Sequence, residues 1–413
     1  MGVEEVKVVE SSIVKPSEET PRHGLWLSSL DLMLAKSGHV PLVYFYRSCA
    51  GGDGDVFFDV ARLKAALSRA LVSFYPLAGR LGVDVDGRLQ VDCAEQGVPL
   101  LVAHSDHTVD EFSSFKPSPE LRRLFVPCVG DSPSVVCAIQ VTFLRCGGVA
   151  LGAALHHAVL DGASTFHFFR TWSAFSSGDG ASGAALELPC HDRTLLRARS
   201  PPAVHPKTLS VFCPKLGPSE LSGAVANEIF IISKDQVAAL KRACTGGGGD
   251  VSTFCALAAH VWRCVVAARR LPPDATTRLV FPANVRGRLR PPIPVSYFGN
   301  GIIMLGASGK ARDVASEEHL ASIAGRIKGA ISQMDDELVH SAIDYLELDL
   351  GGSSLPAMPA GNLPKTELRV VKWLDMTAYG ADFALPHVSG LPALSCRQSR
   401  NMPPMLLISG TFW

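Results

Sequence analysis

The residues with the clearest chemical potential lie in segment 155–162, which reads Leu-His-His-Ala-Val-Leu-Asp-Gly. Histidine titrates near neutrality, so His157 is suited to take a proton from an alcohol or an amine as a general base. A hydrophobic stretch that predicts a strand precedes it, and a predicted helix follows Asp161. A histidine at such a junction can present its ring to a cleft. These residues alone leave two interpretations open, a catalytic base and a core histidine with internally satisfied hydrogen bonds.

The same spacing, His-x-x-x-Asp, occurs again at His340 and Asp344, so the bare pattern is weak evidence. Around this second match the flanking residues predict one continuous helix. Residues four apart share a helix face, so we expect an exposed pair between His340 and Asp344. The first match differs in its strand-to-helix position, in its doubled histidine and in the glycine after Asp161.

The elements that must position His157 alternate between strands and helices in both halves of the chain. In the first half, strands are predicted at 6–14, 42–46, 88–91, 98–103, 135–143 and 149–155, with helices at 59–71 and 163–175. In the second half, strands are predicted at 227–232, 278–282, 302–305 and 367–373, with helices at 234–243, 252–269 and 317–334. We therefore expect an α/β (α+β) fold of two similarly built domains, each a mixed sheet with helices. The domains are expected at 1–180 and 226–413, and a linker rich in small residues and proline is expected to cross between them at 181–225.

Composition favours large buried cores and argues against a nucleic-acid partner. The 413 residues are 47% hydrophobic and 19% charged, which suits two globular domains. Lysine plus arginine and aspartate plus glutamate each number 39, so the formal net charge is zero. This balance lacks the basic surface of a nucleic-acid-binding protein. We expect no nucleic-acid partner, and any role of charge must be local to a site.

Cysteine usage and the N-terminus bear on the compartment. The eleven cysteines form no Cys-x-x-Cys pair, which argues against a structural zinc site and suits reduced thiols. The acidic N-terminus lacks the apolar core of a secretory signal, and no uncharged apolar run reaches the roughly 20 residues of a membrane span. We therefore expect a cytoplasmic protein with no metal and no membrane partner.

Two other functional classes find no support in the sequence. No Gly-x-Ser-x-Gly segment is present, so the nucleophile elbow of an α/β hydrolase has no candidate. The glycine run at 246–249 is not followed by Lys-Ser or Lys-Thr, so it does not match a phosphate-binding loop.

Many short segments, in the same order, resemble the plant BAHD acyltransferases and specifically their hydroxycinnamoyltransferase branch. The resemblance extends from about residue 6 to residue 383. The segments that carry it are 28–31 (Ser-Ser-Leu-Asp), His39, 43–47 (Val-Tyr-Phe-Tyr-Arg), 75–80 (Tyr-Pro-Leu-Ala-Gly-Arg), 157–162, 171–173 (Thr-Trp-Ser), 260–263 (His-Val-Trp-Arg), 286–289 (Arg-Gly-Arg-Leu), 297–300 (Tyr-Phe-Gly-Asn) and 382–383 (Asp-Phe). An ordered series of this length is far more specific than any one of its members.

The resemblance implies a chloramphenicol acetyltransferase-like fold with an active-site tunnel between the two domains. It implies that His157 deprotonates an acceptor, which attacks the thioester of acyl-CoA without forming a covalent acyl-enzyme. It also implies that Asp161 points away from the substrate and pairs with an arginine of the second domain, for which Arg286 is the candidate. Acyl-CoA is then a co-substrate, no cofactor is expected, and the protein is expected to be a monomer.

The C-terminal signature departs from the family pattern. The family has Asp-Phe-Gly-Trp-Gly, whereas here Asp382 and Phe383 are followed by Ala-Leu-Pro. Leu385 occupies the position of a tryptophan that supports the thioester oxyanion in the family. After Phe383 the sequence predicts neither the remaining strands nor the terminal helix. We therefore expect an atypical or truncated second domain after residue 383, and one functional alternative is an inactive homologue that only binds its ligands.

Position 375 bears on the acceptor. Family members that use shikimate or quinate have an arginine seven residues before the signature aspartate, and this chain has Asp375 there. A carboxylate repels an acidic acceptor and attracts a cationic amine. We therefore expect transfer of an aromatic acyl group, hydroxycinnamoyl or benzoyl, to an amine such as tryptamine or a polyamine. His39 matches a histidine near the family's acceptor pocket and is expected to orient the acceptor. O-acylation of shikimate, quinate or another alcohol is the alternative.

Overall fold

The computed structural model describes residues 6–47, 58–112, 118–130, 133–177, 187–212, 228–245, 250–351, 364–373, 376, 380–381, 383 and 406–409. Within these residues the strands are β1 (Lys7–Val14), β2 (Gly24–Trp26), β3 (His39–Tyr46), β4 (Arg80–Val83), β5 (Leu89–Asp92), β6 (Val98–Ser105), β7 (Cys137–Leu144), β8 (Val149–His156), β9 (Thr276–Asn284), β10 (Ile302–Lys310), β11 (Glu367–Lys372) and β12 (Leu406–Ser409). The α-helices are α1 (Ser29–Met33), α2 (Val60–Ser73), α3 (Pro119–Phe125), α4 (Gly162–Ser176), α5 (Thr208–Val211), α6 (Lys234–Cys244), α7 (Thr253–Arg269), α8 (Leu320–Ser332) and α9 (Asp336–Gly351).

The strands form three sheets, of which the two larger ones are mixed. The five-stranded sheet has the order β1-β6-β7-β8-β3, in which β6 and β7 are parallel and the other neighbours are antiparallel. The four-stranded sheet has the order β10-β9-β11-β12, in which β9 and β11 are parallel. A small antiparallel sheet, β2-β5-β4, completes the first half. The predicted fold class is confirmed, since each half holds a mixed sheet with helices.

The strand that leads to His157, β8, is buried along its whole length. It pairs with β7 on one side and with β3 on the other, so both of its edges are hydrogen-bonded. Its apolar sequence suits a strand that is covered on both faces. The main chain of Phe125 approaches Gly152 closely, since a Cβ at position 152 would lie 1.7 Å from the carbonyl oxygen of Phe125. The strand is thereby fixed, and it ends at His156.

Each half of the chain contributes side chains to the core of the other half. Leu30 and Met33 of α1 are buried together with the core of the second half. Conversely, Phe298 and Phe383 are buried in the core of the first half. Because these side chains are buried in the core of the opposite half, they hold their segments in place at the junction of the two halves.

The described part of the predicted linker, residues 187–212, is held by arginine side chains. Arg193 is buried and lies 2.6 Å from the carboxylate of Asp31 in the first half. Arg199 lies 2.6 Å from the carboxylate of Asp344, which belongs to α9 in the second half. The linker is therefore attached to both halves through ion pairs.

The predicted exposed pair between His340 and Asp344 is wrong, although the continuous helix around them is confirmed as α9. Asp344 is fully buried, and its carboxylate accepts hydrogen bonds from the main-chain N and the Nε of Arg199 at 2.8 and 2.6 Å. His340 instead lies beside Asp336, with its Nε2 3.6 Å from that carboxylate. Asp344 faces the linker, which the helical spacing alone did not indicate.

Two predictions about strands are wrong. Residues 228–232, the described part of the strand predicted at 227–232, form no strand, and Phe230 and Ile231 are 80% and 77% exposed. A strand needs a partner for its backbone hydrogen bonds, and no described strand pairs with this segment. Conversely, β12 lies in the region where no further strand was expected, and it pairs antiparallel with β11.

Candidate active site

The candidate base lies in a short turn between β8 and α4. Because β8 ends at His156 and α4 begins at Gly162, the turn consists of residues 157–161, with Asp161 as the N-cap of the helix. The Asp161 carboxylate accepts a hydrogen bond from Ser164 N at 3.0 Å, which satisfies one of the free N–H groups of the first helical turn. This cap sets where the helix begins and therefore fixes the C-terminal end of the turn.

The structure brings the predicted partners Asp161 and Arg286 together. Arg286 Nη1 lies 2.8 Å from Asp161 Oδ2 and Nη2 lies 3.1 Å from Oδ1, so the contact is bidentate. The main-chain N of Gly301 also donates to Oδ2, at 3.0 Å. Burial alone would raise the pKa of Asp161, but attraction to Arg286 and these hydrogen bonds outweigh burial and lower the pKa. The ionised pair, with both residues buried, joins the two halves of the chain at the turn.

His157 is held by hydrogen bonds of its main chain. Its N donates to the carbonyl of Gly38 at 2.9 Å, and its carbonyl accepts from Asn300 Nδ2 at 2.8 Å. The ring nitrogen Nδ1 is buried, whereas the residue as a whole retains some exposure. Burial lowers the pKa of His157, so the imidazole is neutral at physiological pH. A neutral imidazole is the form that a general base requires.

The neighbouring histidines, His156 and His39, face each other across β8 and β3. They form a cross-strand pair, and their rings pack edge to face with centroids 4.9 Å apart. Burial lowers the pKa of His156 to about 3, and burial also lowers the pKa of His39. His39 Nε2 donates to the carbonyl of Val135 at 2.6 Å, which leaves Nδ1 for any contact with an acceptor. The acceptor role of His39 stays a prediction.

The C-terminal residues of the predicted site are described only in part. Asp375, Asp382 and Leu385 lie outside the described residues. Phe383 is fully buried and packs edge to face against Trp172, with ring centroids 4.6 Å apart. The signature phenylalanine therefore lies in the core of the first half.

Three buried residues lie beside the turn whose role the sequence alone did not indicate: Asp31, Arg193 and Asn300. Asp31 forms a capping box with Ser28 at the start of α1, and the Ser-x-x-Asp spacing is a local signal of that helix start. The signal does not reveal that the same carboxylate accepts hydrogen bonds from Asn300, 269 residues away in the sequence.

Among the described residues, no group of three or more His, Cys, Asp or Glu side chains is arranged to hold a metal ion. No described helix combines the length and the apolar character needed to cross a membrane.

A sequence profile described as the Transferase family matches residues 4–402. The chain belongs to this family, the BAHD acyltransferases. It is 43% identical to putrescine hydroxycinnamoyltransferase 1 of Oryza sativa subsp. japonica over 390 residues, 92% of this chain and 87% of the relative. It is 40% identical to shikimate O-hydroxycinnamoyltransferase of Nicotiana tabacum over 395 residues, 92% of this chain and 88% of the relative.

The fold of this BAHD protein is also that of a solved structure. TRI101 of F. graminearum, determined in complex with coenzyme A and deoxynivalenol, superposes with a TM-score of 0.69 at 17% identity. The superposition covers 87% of this chain and 86% of the TRI101 chain. With its hydroxycinnamoyltransferase relatives, the BAHD protein is an acyltransferase.

Proposed function

We propose that the enzyme transfers an aromatic acyl group from CoA to an amine acceptor, with His157 as the general base. One observation carries the proposal, namely a neutral histidine held in a turn whose far end is fixed by the buried pair of Asp161 and Arg286. The acceptor nitrogen attacks the thioester carbonyl, a C–N bond forms and the C–S bond breaks. His157 takes the proton from the nitrogen and returns it to the sulfur of the departing CoA.

The contacts of His157 favour Nε2 as the nitrogen that takes the proton. Nδ1 is buried, whereas the residue as a whole keeps some exposure, which favours approach of the substrate to the other ring nitrogen. Because the pKa of His157 is lowered, the imidazole is already unprotonated before it accepts the proton of the acceptor. Asp161 is engaged by Arg286, Ser164 and Gly301, so it stabilises the turn and has no free oxygen for the substrate.

The described neighbours of Asp375 along the chain, Trp373 and Met376, both contact α4. Trp373 packs edge to face against Phe166 of α4, with ring centroids 5.7 Å apart. Met376 lies against Gly162, where a Cβ would come within 2.9 Å of the Met376 sulfur. Both contacts are in the first turns of α4, which follow Asp161 directly. A carboxylate at position 375 would attract a cationic acceptor.

A diamine or polyamine fits this chemistry best. One ammonium group would pair with Asp375, while a second, neutral amino group attacks the thioester, since a protonated nitrogen has no lone pair. The relative from rice is named for putrescine, a diamine. The relative from tobacco is named for shikimate and supports O-acylation as the competing candidate.

An acceptor panel tests the proposal. We expect p-coumaroyl-CoA or benzoyl-CoA to acylate putrescine, spermidine, agmatine or tryptamine in preference to shikimate, with the amide identified by mass spectrometry. Asp375→Arg is expected to lower kcat/KM for the polyamines, and the control Asp86→Arg, in an exposed hairpin turn, is expected to leave it unchanged. A preference of the unmodified enzyme for shikimate would contradict the amine proposal. Undetectable turnover with retained CoA affinity would indicate an inactive binding protein.

A further inference from the structure

Two buried aspartates, rather than one, hold the turn that carries His157. Asp161 fixes the end of the turn through Arg286. Asp31 is fully buried on α1, and its Oδ2 accepts hydrogen bonds from the N and the Oγ of Ser28 at 2.9 and 2.7 Å. Its other oxygen, Oδ1, is directed at the second half of the chain.

Asn300 connects Asp31 to His157. Its main-chain N and its side-chain Nδ2 both lie 2.9 Å from Asp31 Oδ1. The same Nδ2 donates to the carbonyl oxygen of His157 at 2.8 Å. Only the nitrogen of the amide can donate to both a carboxylate and a carbonyl, so these contacts fix the orientation of the Asn300 side chain.

Arg193 provides a second connection from Asp31 to the same turn. Its Nη1 lies 2.6 Å from Asp31 Oδ2, and its Nη2 donates to the carbonyl of Val159 at 2.8 Å. The carbonyls of His157 and Val159 are therefore held by two donors, Asn300 and Arg193, that share one carboxylate.

The segment around Asn300 touches both aspartates. The N of Asn300 donates to Asp31, and the N of the next residue, Gly301, donates to Asp161. A Cβ at position 301 would lie 2.7 Å from Nη1 of Arg286, so glycine allows this close approach. A displacement of this segment would therefore loosen both anchors of the turn together.

Asn300 also acts on the imidazole ring. Burial lowers the pKa of His157, and four smaller effects offset part of it: its own main chain, the charge of Asp161, the Asn300 side chain and the main chain of Leu160. His157 Nδ1 and Asn300 Oδ1 are both buried, and neither has a hydrogen-bond partner among the described residues. A hydrogen bond from a proton on Nδ1 to Oδ1 would satisfy both atoms and would leave the lone pair on Nε2, where a base needs it.

We infer that Asp31 is a positioning residue for His157, acting through Asn300 and Arg193. The inference rests on the proposed function of His157 as the general base. The network takes Asp31 from the first half, Arg193 from the linker and Asn300 from the second half. The orientation of the base therefore depends on the docking of the two halves.

Asn300→Ala tests the connection between Asp31 and His157 at the residue that bonds the main chain of His157. We expect kcat to fall roughly 10- to 100-fold, because a misplacement of about 1 Å can cost about 10²-fold in rate. KM for acyl-CoA and for the amine should change by less than about threefold, since ground-state binding is untouched. With an arylamine acceptor, which is neutral across the range, the acidic limb of the kcat/KM profile should move to lower pH, because Asn300 raises the pKa of His157.

A matched pair of variants separates positioning from stability. Asp31→Asn and Asp344→Asn each neutralise a fully buried aspartate that pairs with a linker arginine. Both should lower the unfolding temperature, but only Asp31→Asn should lower kcat per folded molecule. Equal kcat in the two variants, or an unmoved acidic limb in Asn300→Ala, would overturn the inference.

A measurement on the unmodified enzyme covers the case in which a variant fails to fold. In NMR spectra of enzyme labelled with ¹⁵N-histidine, we expect neutral His157 to carry its proton on Nδ1, with the signal assigned through His157→Gln. A proton on Nε2 in the neutral state would refute the role of Asn300. Full activity of His157→Ala would refute the proposed function instead, so the two failures are distinguishable.

Discussion

The pattern His-x-x-x-Asp occurs twice in this molecule, and the two copies differ in what surrounds them. In both, the aspartate is buried and binds an arginine from a distant segment, Arg286 for Asp161 and Arg199 for Asp344. Both histidines, His157 and His340, even have a buried Nδ1 without a hydrogen-bond partner. The four-residue spacing therefore describes an anchor that holds two segments together, and it does not by itself describe a catalytic site.

The difference between the copies lies in the backbone that carries the histidine. His340 lies within α9, and its Nε2 lies near Asp336 on the same helix. His157 lies between a strand and a helix, where its carbonyl is free to accept a hydrogen bond from Asn300. A residue inside a helix has its carbonyl engaged in the helix. The turn thus lets other parts of the chain orient His157, which a helix interior does not permit.

The largest expected difference between the two copies is in the free energy of unfolding. Asp161→Ala should lose about 3–5 kcal/mol, because it leaves the buried Arg286 without its counter-charge. Asp344→Ala should lose less, because the side chain of Arg199 is 33% exposed and can be rehydrated. Urea denaturation of both variants measures the difference. Equal losses would show that exposure of the arginine does not matter.

A second difference should appear in the pH dependence of the reaction. Burial lowers the pKa of His157 below its usual value of 6.5, so the base form is lost only as the pH falls through that lower value. With an arylamine acceptor, which is neutral across the range, the acidic limb of kcat/KM should lie below pH 6.5. His340→Ala should keep the same limb. A limb at or above 6.5 in the unmodified enzyme would contradict the buried setting of His157.

The smallest expected effect concerns the contact between Asp336 and His340 within α9. Asp336→Asn weakens this contact, in which the side chains are 37% and 29% exposed, and keeps an oxygen for the hydrogen bond from the main-chain N of Arg290. Exposed pairs contribute about 0.2–1 kcal/mol, so the variant should be nearly as stable as the parent and fully active. Thermal unfolding at low and high salt provides the check. A loss above about 1 kcal/mol would mean that the pair is more buried than its exposure indicates.

The local elements of the fold could be predicted, because the spacing of apolar residues that indicates a strand or a helix involves only residues close together in the sequence. The strand and helix on either side of His157 are examples, predicted at 149–155 and 163–175 and found at Val149–His156 and Gly162–Ser176. The strand predicted at 227–232 shows the limit of such patterns. Its apolar residues indicate a strand, but a strand also needs a partner, and the pattern carries no information about one.

The long-range contacts of the site could not be predicted from the residues alone. The pairing of Asp161 with Arg286 was expected only from the resemblance to a family. The partners of Asp31 and Asp344 were not expected. Which arginine lies beside a buried carboxylate is determined by how whole segments pack, and the local sequence does not show this. A Ser-x-x-Asp capping box and a Gly-Asn-Gly segment are visible in the sequence, but their meeting is a property of the fold.

The comparison of the two histidines gives the most direct test of the account. With p-coumaroyl-CoA and putrescine as substrates, His157→Ala should lower kcat about 10²- to 10⁴-fold while the protein stays folded by circular dichroism. His340→Ala should stay within about twofold of the parent, as a substitution away from the site. Comparable losses in the two variants, or a folded His157→Ala enzyme that keeps its activity, would contradict the assignment of His157 as the general base.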